Sequence, residues 1–249
     1  MITRLQEQYP LLRCHIVHLS ASSALGAIRA AKEKGLRLTV ETCFHYLCLS
    51  ANDIPNGRPE FKCCPPIRSE SNRDRLWKAL LDGDIDCVVS DHSPCVLELK
   101  RVEERDIMAA WGGIHGLGLG LSLLWTEGRK PERGATLSQI VEWMSKRTAE
   151  HAGLAAVKGS LVVGLDGDIV IWDAEAEFKG RFVLDFARPH PSDTILQVSK
   201  EHLHFKNKLS AYEGLVLRGV VQQTILGGQV VYDKSQNGFN GLHPIGKLL

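Results

Sequence analysis

The stretch CHIVHLSAS, residues 14–22, decides the fold. Residues 14–19 are a short β-favouring run and read as a strand. From Ser22 to Ala31 the pattern changes to a helix, with Leu25, Ile28 and Ala31 at helical spacing and Gly35 placed to end it. The same order then repeats. Residues 36–41 (LRLTVE) read as a strand, and residues 61–65 (FKCCP) as a weaker one stopped by Pro65-Pro66. A helix follows from Ser71, with Leu76, Leu80 and Leu81 as its apolar stripe and Gly83 at its end. Residues 85–90 (IDCVVS) form a further short, buried strand. Strands alternating with helices imply βαβ units and a parallel sheet, an α/β fold.

After Asp91 the pattern shifts. Residues 113–125 (GIHGLGLGLSLLW) read as a glycine-rich helix, and Thr136 to Glu150 as another with Ile140, Val141 and Met144 facing inward. Beyond Gly153 strands dominate: residues 167–172, then 216–226 and 229–232 around the two-residue turn Gly227-Gly228. The expected division is an α/β unit over 1–155 and a β-rich segment over 156–249.

Composition narrows the class. The 249 residues are 44% hydrophobic and 24% charged, which suits a packed globular chain rather than a disordered one. Thirty Lys and Arg against 29 Asp and Glu give a formal charge of +1, so no charge excess points to nucleic acid. No apolar run reaches the roughly 18 residues of a membrane span, and the first residues lack a signal-peptide layout. Seven cysteines, odd in number and irregularly spaced, point to free thiols in a reducing, cytoplasmic setting.

Three polar side chains close consecutive strand-like runs. His18 ends CHIVHL, His45 follows LTVE, and Asp91 ends CVVSD. Loops after parallel strands open onto the face where α/β enzymes place their chemistry. Two imidazoles and a carboxylate converging there can hold zinc, and the carboxylate can serve as general base. His15, His92 and His115 read as packing or loop residues. The pair His202 and His204 has metal-binding spacing but lies in EHLHFKNK, which reads as a solvated strand.

The segments HLSAS (18–22), ETCFHYL (41–47), KCCPPIR (62–68), SDHSP (90–94) and AWGGIHG (110–116) together resemble the cyclic amidohydrolases, the group of dihydroorotase, hydantoinase and allantoinase, with the allantoinase branch nearest. The likeness continues through 158–173 and 205–233. It implies a TIM-like hydrolase barrel of which this chain supplies the C-terminal half, the fifth to eighth strands, with part of a small β-sandwich. It implies His18 and His45 as metal ligands and Asp91 as the metal-associated general base. It places Cys64, Pro65 and Ser93 at the substrate, a ureide such as allantoin. It further implies a divalent metal, zinc, in a binuclear centre, and a homo-oligomer, commonly a tetramer. Members of the group carry an HxH pair on the first strand and a bridging lysine on the fourth, and neither lies upstream of His18. The centre is therefore expected to be incomplete, which leaves an active hydrolase and a non-catalytic, partner-dependent remnant as competing readings. Dihydroorotase-like or hydantoinase-like specificity is a further alternative.

Overall fold

The computed structural model describes residues 1–177, 198, 200–236, 238–239 and 244–246. In chain order the elements are α1 (Ile2–Gln8), β1 (Cys14–Ile16), α2 (Leu25–Glu33), β2 (Leu38–Cys43), α3 (Phe44–Cys48), α4 (Glu70–Leu81), β3 (Cys87–Val89), α5 (Leu97–Lys100), α6 (Gly120–Gly128), α7 (Leu137–Val141), α8 (Arg147–His151), β4 (Ile169–Glu177), β5 (Arg218–Leu226) and β6 (Gln229–Asp233). Among the described residues two three-stranded sheets result. The first is parallel, in the order β1-β2-β3; the second is antiparallel, in the order β4-β5-β6.

The parallel sheet has an uneven pair of faces. Along β2, Leu38, Val40 and Thr42 are buried, while Thr39 and Glu41 are half-buried on the other face. Leu38 and Val40 share one apolar cluster with Ile28 and Ala31 of α2 and with Leu76, Trp77 and Leu80 of α4. Asp86 fastens the centre of the sheet: its carboxylate accepts the Val40 N–H at 2.7 Å and pairs with Lys32 at 2.9 Å. Gly35 and Gly83, both with positive φ, end α2 and α4 as the sequence pattern required.

Three sequence expectations need correction. Residues 61–65 form no strand, and β2 pairs directly with β3, Glu41 opposite Cys87. Pro65 and Pro66 have no N–H to give a ladder, and the Lys62 carbonyl is already taken by the Gly113 N–H. The helix expected over 113–125 begins only at Gly120. A Cβ on Gly112 would lie 2.8 Å from Cys64 Sγ, and one on Gly113 only 2.2 Å from the Ser93 carbonyl oxygen. Those glycines allow close approach of a loop. Finally, residues 202–204 form no strand, although His204 is exposed as expected. Leu203 and Phe205 are core residues, and His204 packs edge-on against Tyr232 and Phe239.

The helix expected over 136–150 is present as one run with an irregularity. Thr136 and Gln139 form a capping box, and a π-helical turn, Glu142–Lys146, separates α7 from α8. The hairpin β5–β6 turns at Gly227 and Gly228, both with positive φ. The antiparallel sheet meets α6 through Ser122, whose hydroxyl donates to the Gly219 carbonyl of β5, and through Trp125, which packs edge-to-face on Trp172 of β4.

Candidate metal centre

The chain is bent where the candidate residues sit. Strand β1 stops at Ile16, yet Leu19 resumes the ladder by donating its N–H to the Glu41 carbonyl at 2.8 Å. Between them His18 takes a φ of +40°, and at the end of β3 Asp91 takes +44°. Left-handed backbone at a histidine or aspartate costs on the order of 1 kcal/mol or more and persists only where neighbours hold it. Glu41 supplies the hold at His18. Its Oε1 accepts the His18 N–H at 3.3 Å, while its Oε2 stands 3.1 Å from His15 Nε2. The other imidazole nitrogen of His15 lies 2.7 Å from Thr39 Oγ1. His15 thus braces the carboxylate that braces His18, a role beyond packing.

His45 is the second residue of α3, two after the end of β2, and is fully buried. Both of its ring nitrogens lack a hydrogen-bond partner among the described residues, as does Nδ1 of His18. A buried imidazole without partners is costly, and orphaned nitrogens are what a metal site leaves when only protein atoms are counted. Donor atoms of Cys43, His45 and Asp91 lie within 4.8 Å of one another. His18 is outside that set, although its charge is felt by both His45 and Asp91. The donors present, imidazole, carboxylate and thiol, fit a divalent cation such as zinc.

Electrostatics follow from burial. Desolvation, helped by the charge of His18, lowers His45 from 6.5 to about 3, so the imidazole is neutral and able to ligate. Burial raises the Asp91 carboxyl, assisted by Glu41 and opposed by His18. The sign for stability is clear for His45. An unfolded imidazole takes up a proton as pH falls through about 6.5, whereas the folded one resists until about 3. The metal-free protein is expected to lose stability between those values, by up to roughly 1.4 kcal/mol per pH unit from this group. Denaturant melts of the parent and His45→Gln check this; parallel pH profiles would remove His45 as the cause.

The residues expected at the substrate lie on two neighbouring loops. Cys64 is exposed, the Pro65 carbonyl accepts the Tyr46 hydroxyl at 2.6 Å, and Ser93 Oγ donates to the Asp91 carbonyl at 3.1 Å. Ser20 and Asn72 bind the loop after β1 to these: Ser20 Oγ donates to the Pro66 carbonyl, and Asn72 Nδ2 to the Ser20 carbonyl. His92 Nδ1 accepts the N–H groups of Gly116 and Leu117, and His115 Nε2 accepts that of Cys95, so both histidines order loops. Sequence reasoning missed Lys100. It is fully buried, and its ammonium donates to the carbonyls of Lys62, Trp111 and Gly113. A cleft of about 740 Å³ opens at the opposite, starting ends of β1 and β2, lined by Arg13, His15, Arg37, Thr39 and His151 among others. All seven cysteines are free thiols, and no helix among the described residues is long and apolar enough to cross a membrane.

Known proteins are similar to this chain in sequence and in fold. The chain is 45% identical to an allantoinase of Saccharomyces cerevisiae over 240 residues, 96% of this chain and 46% of that one. It is 44% identical to an allantoinase of Arabidopsis thaliana over 225 residues, 90% of this chain and 40% of that one. Among solved structures, an L-hydantoinase (dihydropyrimidinase) from Arthrobacter aurescens superposes with a TM-score of 0.80 at 27% identity, covering 94% of this chain and 47% of the other. The chain spans a little under half the length of these relatives. The sequence profile of the amidohydrolase family matches residues 4–231, and by that match the chain belongs to the amidohydrolase family.

Proposed function

We propose that this chain is the C-terminal half of a TIM-like amidohydrolase barrel, residues 1–155 supplying the rungs equivalent to strands five to eight and residues 156–249 part of a small β-sandwich. We propose that the whole enzyme hydrolyses a cyclic ureide, allantoin to allantoate. The observation that supports this best is the pair of left-handed residues, His18 and Asp91, at strand ends beside the unpartnered imidazole of His45. The KCCPPIR segment is the loop-like rung between β2 and β3 in this reading.

His18, His45 and Asp91 would hold a divalent metal, zinc by preference. Bound there, it supplies Lewis acidity at the amide carbonyl and at the attacking water. The chain's own residues do the rest. Asp91 accepts the proton of the attacking water on a carboxylate oxygen and returns it to the leaving ring nitrogen, so water adds across the C–N bond without net proton change. Glu41 and His15 keep His18 aimed. Cys64, Pro65 and Ser93 line the wall against the ureide. The free cysteines support a reducing, cytoplasmic setting, and we propose a homo-oligomer of the kind the family resemblance implies.

A second reading, a half that needs a partner to act, is favoured by the open sheet. Among the described residues β1 and β3 each have one neighbour, and Leu11 and Val17 are 79% and 52% exposed. One experiment separates the readings. The purified chain with added zinc is assayed for allantoate release, alone and after co-folding with the N-terminal half of the yeast relative. Turnover in either arm that disappears in His18→Ala and Asp91→Ala supports the hydrolase, and turnover in the second arm alone identifies the partner-dependent form. Absence of both turnover and association of the halves overturns the half-barrel proposal.

A further inference from the structure

The donors brought closest together at the centre include a residue with no assigned role. Cys43 is the last residue of β2, wholly buried, with extended backbone. Register explains its position: Cys43 pairs with Val89, two residues before Asp91, and precedes His45 by two. The parallel ladder therefore delivers a thiol, an imidazole and a carboxylate to one spot, with donor atoms within 4.8 Å of one another. Burying such groups side by side is unfavourable unless something compensates, and neither nitrogen of His45 has a protein partner among the described residues.

We propose that Cys43 is a metal ligand, forming with His45 and Asp91 a thiolate-containing site for a thiophilic divalent cation such as zinc, cobalt or cadmium. This rests on the metal centre proposed above and sets the Cys43 sulfur beside its His45 and Asp91 donors, with His18 outside the three. Three protein donors with one position left open is the pattern of catalytic zinc sites. Bond lengths of about 2.3 Å to sulfur and 2.0 Å to nitrogen or oxygen set tetrahedral donors roughly 3.3–3.5 Å apart, so donor pairs now within 4.8 Å close by up to about 1.5 Å on binding. The sulfur–metal bond forms as the thiol proton leaves to solvent, and no oxidation state changes. A sulfur donor biases the site away from magnesium and manganese, which favour oxygen.

The test is a cobalt titration of the purified chain, repeated with cadmium, read by the thiolate-to-metal charge-transfer band in the near ultraviolet. The parent is expected to show the band at about one equivalent of metal. Cys43→Ser is expected to lose it and to bind at least about tenfold more weakly. Cys14→Ser, lacking a thiol on β1 that has no part in the site, is expected to keep it. If Cys43→Ser fails to fold by near-ultraviolet circular dichroism, Cys43→Ala carries the test. Tight binding without the band, unchanged in the Cys43 variants, overturns the sulfur ligand and leaves a centre of His18, His45 and Asp91 standing. A band that persists in the Cys43 variants overturns it equally. No metal bound by the parent overturns both.

Discussion

Replacing Lys100 with methionine is expected to lower unfolding free energy by roughly 2–5 kcal/mol. The ammonium group is wholly buried and donates to three main-chain carbonyls. Of these, the Lys62 oxygen also accepts the Gly113 N–H at 3.1 Å and stays satisfied. The Trp111 and Gly113 oxygens depend on the lysine, and each orphaned carbonyl costs about 1–3 kcal/mol. Burial of the ammonium, which lowers the Lys100 pKa, offsets part of this because the variant no longer desolvates a charge. The loss is local as well as global. Lys100 ties the segment before Cys64 to the one that carries Gly112 and Gly113 against Cys64 and Ser93. Urea melts and limited proteolysis between residues 101 and 113 check it. A methionine variant as stable and as protease-resistant as the parent would show that the three hydrogen bonds contribute nothing net.

That lysine also marks where the sequence stopped being readable. Residues 14–19, 36–41 and 85–90 announced β1, β2 and β3 because β-favouring runs bounded by helices and glycines have few other solutions. Lys100 sits in ELKRVEER, a charged stretch that reads as solvated surface. Its burial depends on carbonyls contributed by residues 62, 111 and 113, which no local pattern connects. The glycines at 112 and 113 misled for the same reason. Gly113 opens a run that reads as a helix despite its glycines, but the contacts that require Gly112 and Gly113, with Cys64 and Ser93, come from distant parts of the chain.

The candidate centre was legible in part. Strand-end logic led to His18, His45 and Asp91, since a parallel sheet sends consecutive strand ends to one side. It did not lead to Cys43, one of seven cysteines without a motif, because its proximity to Asp91 follows from the β2–β3 register and not from spacing. Nor did it lead to Glu41, whose role depends on the interruption of β1 at His18. Periodicity predicts which face a strand residue takes, and a bulge-like break changes that assignment for the residue that matters most.

Asp91→Asn is expected to separate stability from chemistry. The substitution keeps size and shape but removes a carboxylate whose pKa burial has raised, so the metal-free protein should be as stable as the parent or more so. The left-handed φ of +44° is no obstacle, since asparagine tolerates that region at least as well as aspartate. Ureide hydrolysis, in whichever form of the enzyme shows it, should fall by about 10²–10⁴-fold, the range a general acid–base group supplies. Metal affinity should weaken too, because a neutral amide oxygen is a poorer donor than a carboxylate, so turnover is compared at saturating zinc. Equal turnover there, with bound metal confirmed, would remove Asp91 as the proton carrier. A variant both inactive and unfolded would instead make Asp91 a structural residue whose strained backbone serves the β3 turn alone. Unchanged melting with turnover collapsed is the one result that places the carboxylate in the reaction itself.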